Sequence, residues 1–157
     1  MGDESTKRAA QEYLAAKLSE EGQSFEDKAN REAAISLAQT VWKSVVQTVI
    51  EKCTEWNVVT REQTLTCKET LLGDLRIRCA GRSPLVTVHF NSRKLLVTID
   101  NTARLEHEPV TVLSIEGYAM DSGRSARLMR NNLPVNLDMM ILGHLRVLAG
   151  LTRRTND

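Results

Sequence analysis

The chain has 157 residues, of which 41% are apolar and 26% charged, with a formal net charge of +1. This balance excludes wholesale disorder and fits one domain with a single core. Two Trp, two Tyr and two Phe are too few for a base-stacking platform on single-stranded nucleic acid, and no apolar run reaches the roughly 18 residues of a membrane span.

Cys53, Cys67 and Cys79 are odd in number, and the start of the chain does not read as a secretory leader. Free thiols in a reducing, cytoplasmic setting are the expectation. The charge is unevenly spread: residues 1–70 carry 9 Lys and Arg against 12 Asp and Glu, whereas residues 71–157 carry 12 against 8. All but one of the later cations are Arg, whose planar fork suits carboxylates and phosphates.

Residues 5–18 are rich in Ala, Lys, Glu and Gln, with Ser5 or Thr6 as an N-cap, and predict a first helix with a thin apolar face of Tyr13, Leu14 and Leu18. Residues 20–24, containing Gly22, predict a break. From Ser24 to about Trp56 neither Gly nor Pro occurs, and Ile35, Ala38, Val41, Trp42, Val45, Val46, Val49, Ile50, Cys53 and Trp56 recur at steps of three and four. That stripe predicts a helix of about 30 residues, roughly 45 Å long. It either packs across a sheet or presents Val41, Trp42, Val45 and Val49 to another helix in an oligomer.

Strands follow. Residues 64–69 read as a first strand, and Leu71, Gly73, Leu75, Ile77 and Cys79 as one face of a second, with Asp74, Arg76 and Arg78 on the other. Residues 84–90 and 95–99 alternate across a turn at 91–94, which predicts a hairpin pairing Phe90 with Leu95, Val88 with Val97 and Val86 with Ile99. A polar connection at 101–108, a strand at 110–115, a turn at 121–124 and a strand at 125–130 complete five or six strands. Their short connections require antiparallel meander order.

Asn136 caps a last helix, 137–149, with Asp138 in its first turn and Gly150 as its stop. Its sequence is apolar nearly all round, so it must pack on the sheet, on the long helix or on a partner, with Met140 and His144 as candidate contacts. The ends, 1–5 and 152–157, are expected to be solvated tails. The reading is therefore α+β in one domain: helical 1–57, antiparallel sheet 64–130, helix 137–149.

Candidate chemistry is sparse. His89, His107 and His144 lie at no metal-ligand spacing, and in an extended segment Glu106 and Glu108 face away from His107. His144, between Ile141 and Val147, reads as a core or interface histidine. Ser122 lacks the Gly-x-Ser-x-Gly setting of a nucleophile elbow, and the glycine pair 117 and 123 lacks the Lys of a phosphate loop. Arg76, Arg78, Arg82, Arg93, Arg124, Arg127 and Arg130 remain as an anion or partner surface, a groove if Arg76 and Arg78 share the outward sheet face with Arg124 and Arg130. No cofactor, metal or reaction is nominated.

Three functions fit these features. The first is a non-enzymatic protein-interaction module that self-associates through apolar helices. The second is a small-molecule or lipid binder, its pocket lined by Met139, Met140, Leu142 and the 86–99 hairpin. The third is binding of RNA or another polyanion on the arginine face.

Overall fold

A computed structural model of the chain describes residues 2–105 and 107–151. The first element, α1 (Gly2–Thr60), is a single helix of 59 residues, roughly 90 Å long. The break expected at 20–24 is absent. A Cβ on Gly22 would meet nothing within 4 Å, so the residue costs only the ~1 kcal/mol of a solvated helix glycine, which the surrounding Ala, Glu, Lys and Gln outweigh. The helix ends where Arg61 turns to a φ of 55°.

Behind α1 come β1 (Leu65–Glu69), β2 (Leu75–Cys79), β3 (Leu85–Asn91), β4 (Leu96–Asn101), β5 (Thr111–Met120), β6 (Gly123–Arg130) and β7 (Leu133–Pro134). They form one antiparallel sheet in the order β1-β2-β3-β4-β5-β6-β7. The meander order expected from short connections holds, with seven strands rather than five or six. The extra one is the two-residue β7, too short to leave a periodic pattern.

Strand alternation puts one sheet face under the helices. Along β2, Leu75, Ile77 and Cys79 are buried while Arg76 and Arg78 are exposed. In the β3–β4 hairpin, Phe90 pairs with Val97, Val88 with Ile99 and Val86 with Asn101, two residues away from the expected register. The cause is the turn: the Asn91 Oδ1 accepts the backbone N–H groups of Arg93 and Lys94, and Leu95 sits at a φ of 56°, so the turn falls at 92–95 rather than 91–94, and moving it by one residue shifts the pairing by two. Because the shift is even, the buried face is unchanged.

The second half of α1 crosses this face. Val45 and Val49 are fully buried, with Ala34, Ala38 and Cys53 nearly so, while Trp42 stacks on Phe90 with ring centroids 5.5 Å apart. Val45 and Val49 thus pack on the chain's own sheet, with Val41 and Trp42 half-buried beside them. Where the helix passes over β5, a Cβ on Gly117 would lie 2.1 Å from the Asn30 carbonyl oxygen. Glycine is what allows the backbones to approach here.

At the far end Asn57 pins the edge strand. Its side-chain amide nitrogen donates to the Leu65 carbonyl and its oxygen accepts the Leu65 N–H, both at 2.8 Å. The last helix, α2 (Leu137–Leu148), starts where the Asn136 side chain accepts the Met139 N–H and carries Asp138 in its first turn, beside the helix's positive end. Gly150, at a φ of 84°, follows its C-terminus, and Arg82 Nε donates to the Leu148 carbonyl at 2.8 Å, a cation where the dipole favours one. Ile141, His144, Leu145 and Leu148 are its buried face.

Candidate functional site

The seven arginines singled out by the sequence do not converge, and Arg82 is taken up by the Leu148 carbonyl. Arg76 and Arg78 project from the uncovered face of β2. Register places Glu116 opposite Arg127 and Gly117 opposite Ala126, so Arg127 shares that uncovered face, over the Tyr118 ring at 4.2 Å, while Arg124 lies on the helix side. There Arg124 donates to the Asn30 Oδ1 and to Glu26 Oε1, the latter at 3.0 Å, which ties it to α1. Arg130 also follows the helix-side alternation, at the rim of a cleft of about 480 Å³ with Thr111, Met140 and His144. Arg93 occupies the β3–β4 turn, beside a separate cleft of about 690 Å³ that reaches Asp27 and Glu116. The groove expected from Arg76, Arg78, Arg124 and Arg130 is therefore split between opposite faces, because β6 alternates one residue out of step with that expectation.

His144 is buried inside the chain. Asn101 Nδ2 donates to the His144 carbonyl at 3.0 Å and lies 3.3 Å from its Nδ1; Thr111 Oγ1 lies 3.2 Å from Nε2. The Asn101 Oδ1 is occupied by the Ala103 N–H at 3.0 Å, so the amide presents its N–H group to the ring. That assigns Nδ1 as acceptor and leaves the Nε2 hydrogen pointing at Thr111. In this tautomer the ring donates to the hydroxyl and takes no proton from it, so the trio docks α2 onto β4 and β5 rather than forming a nucleophile.

Met139 is 58% exposed and Met140 faces the cleft beside His144. Deeper between helix and sheet, Val88, Val97, Ile99, Leu113, Leu145 and Leu148 are all at 0% exposure. Of the acidic cluster around His107, Glu106 lies outside the described residues, His107 is exposed and the Glu108 carbonyl accepts from Arg104 Nε. Among the described residues no three His, Cys, Asp or Glu side chains are grouped to hold a metal ion. Ser122 is exposed in the β5–β6 turn.

Three features escaped the sequence reading. Cys53 and Cys67 meet between α1 and β1: their hydrogen bond, together with burial, pushes the Cys53 thiol far up, and the same hydrogen bond draws Cys67 down against its burial; only their proximity in space reveals it. Leu71, expected on the inner face of a strand, instead stands at the tip of the β1–β2 turn at 108% exposure. The signal was present as Gly73, whose φ of 88° ends the turn, so that β2 starts at Leu75, four residues later than the alternation suggested.

The third is the first half of α1. Every residue from 4 to 28 is exposed, including Tyr13 at 67%, Leu14 at 56%, Leu18 at 67% and Phe25 at 71%. At 100° per residue Leu14, Leu18 and Phe25 fall on one narrow stripe. No helix of the described residues is long and apolar enough to cross a membrane. No protein-family model matches the chain, and neither a curated protein nor a solved structure is significantly similar to it.

Proposed function

We propose that the chain is an assembly module in which the projecting half of α1 pairs with the same segment of a second copy. What carries the reading is a helix that continues for more than twenty exposed residues past the edge of its own sheet, bearing Leu14, Leu18 and Phe25 on a single stripe. A solvated helix needs no such stripe. Burying a large apolar side chain contributes about 1.5–3 kcal/mol. A two-fold pair buries the three residues twice, which offsets an association cost of about 4–15 kcal/mol and gives a dimer of modest affinity.

Charge selects the orientation. Residues 5–17 carry Lys7, Arg8 and Lys17 against Glu12, whereas residues 18–27 carry Glu20, Glu21, Glu26 and Asp27 and no cation. Antiparallel pairing sets the basic stretch of one copy along the acidic stretch of the other, and parallel pairing would align acid with acid. Analytical ultracentrifugation of the full chain is expected to show a concentration-dependent dimer that weakens with salt. L14E/L18E is expected to be monomeric with an unchanged melting temperature. A strict monomer at micromolar concentration, or a dimer indifferent to L14E/L18E, would overturn the reading.

A further inference from the structure

The β1–β2 hairpin ends in two leucines with nothing around them, Leu71 at 108% and Leu72 at 91% exposure. Their turn is closed on itself: the Gly73 N–H donates to the Thr70 carbonyl at 2.9 Å, the Thr70 N–H to the Asp74 carbonyl at 2.8 Å, and the Asp74 N–H to Thr70 Oγ1 at 3.2 Å. An ordered turn thus holds two aliphatic side chains outward.

Behind the tip, Lys68 faces Arg76 across the ladder and Arg78 faces Thr66. Like charges directly opposite one another destabilise a strand pair. Among the described residues none of the three cations has a hydrogen bond or ion pair. Of the hairpin's carboxylates, Asp74 is engaged by His89 Nδ1 at 2.6 Å, and Glu69 pairs with Leu75 on the opposite alternation from Lys68.

We propose that this hairpin docks on an anionic lipid surface, Leu71 and Leu72 entering the acyl boundary while Lys68 and Arg76 bind headgroup phosphates. Three residues of strand set Lys68 roughly 10 Å behind Leu71, which matches the ~5–10 Å depth to which interfacial segments enter. The two cations stand on the two strands of the hairpin, so they flank the tip, and an anion between them relieves their mutual repulsion. A convex apolar tip favours a bilayer over a nucleic acid, which offers phosphates but nothing for the leucines.

The test is co-sedimentation of the full chain with vesicles of equimolar phosphatidylcholine and phosphatidylserine, and with vesicles of phosphatidylcholine alone. Binding is expected to the anionic vesicles only and to fall with salt. L71S/L72S is expected to weaken it about a hundredfold, and K68E/R76E by more than about tenfold. Both variants change exposed side chains, so their circular dichroism spectra are expected to match the parent's. Absence of binding to anionic vesicles, or binding that L71S/L72S leaves unchanged, overturns the proposal. Retention on heparin that is equal for parent and L71S/L72S, without vesicle binding, overturns it in favour of a polyanion site. Neither variant touches the residue 14–25 stripe, so failure here is separable from failure of the self-association reading.

Discussion

Residues 4–28 and residues 29–57 belong to one unbroken helix, yet different physics holds each half. The second half is fixed by burial: Val45 and Val49 are sealed against the sheet, and the packing would impose a helix on sequences of lower propensity. The first half is exposed throughout residues 4–28, is tied to the sheet by the Glu26–Arg124 ion pair, and rests on composition and on the already formed helix behind it. A helix can thus be equally regular along its length and very unequally stabilised.

Three substitutions sharpen that contrast, and the largest effect belongs to the packed half. Val45→Asp places an unpaired carboxylate in the core and is expected to cost about 4 kcal/mol or more, read as loss of the cooperative thermal transition. Gly117→Ala comes next. Its Cβ meets the Asn30 backbone, so α1 must lift from β5 at about 1–3 kcal/mol, measurable by urea unfolding. A stability equal to the parent's would mean the crossing is looser than the overlap of that Cβ with Asn30 implies. The smallest belongs to the projecting half: Gly22→Ala meets nothing within 4 Å and adds about 1 kcal/mol of helix propensity. Amide exchange around residue 22 is expected to slow while the global melting temperature stays put. A global shift would show that the two halves unfold as one unit, and would break the comparison.

Much of this arrangement is legible in the sequence because it follows from periodicity. The step of three and four from Ile35 to Trp56 and the alternation in β2, β3 and β4 specify faces, and the Asn136 cap and Gly150 stop bound α2. Where the reading missed, a side chain overruled the pattern. Gly22 predicts a break only if nothing continues the helix, and its neighbours do. Asn91 moves a turn along by one residue by capturing two N–H groups, an event composition does not encode. The sides taken by Arg124 and Arg130 depend on where β6 starts, and moving that start by one residue exchanges both faces. The Cys53 and Cys67 pair joins positions 14 apart in sequence through a helix-to-strand contact, for which no local pattern exists.

The Asn57 amide has a consequence beyond holding α1 to β1. An edge strand displays a row of unpaired donors and acceptors to which any extended chain can add. By taking both backbone groups of Leu65, Asn57 behaves as one residue of a missing eighth strand, and addition has only the outward groups of Cys67 and Glu69 left on which to start. At the opposite edge β7 is two residues long and ends in Pro134, which has no N–H to offer. The β1 border is thereby a poor template for growth into fibres, whereas at the other border β7 shields only Met129 and Arg130 of β6.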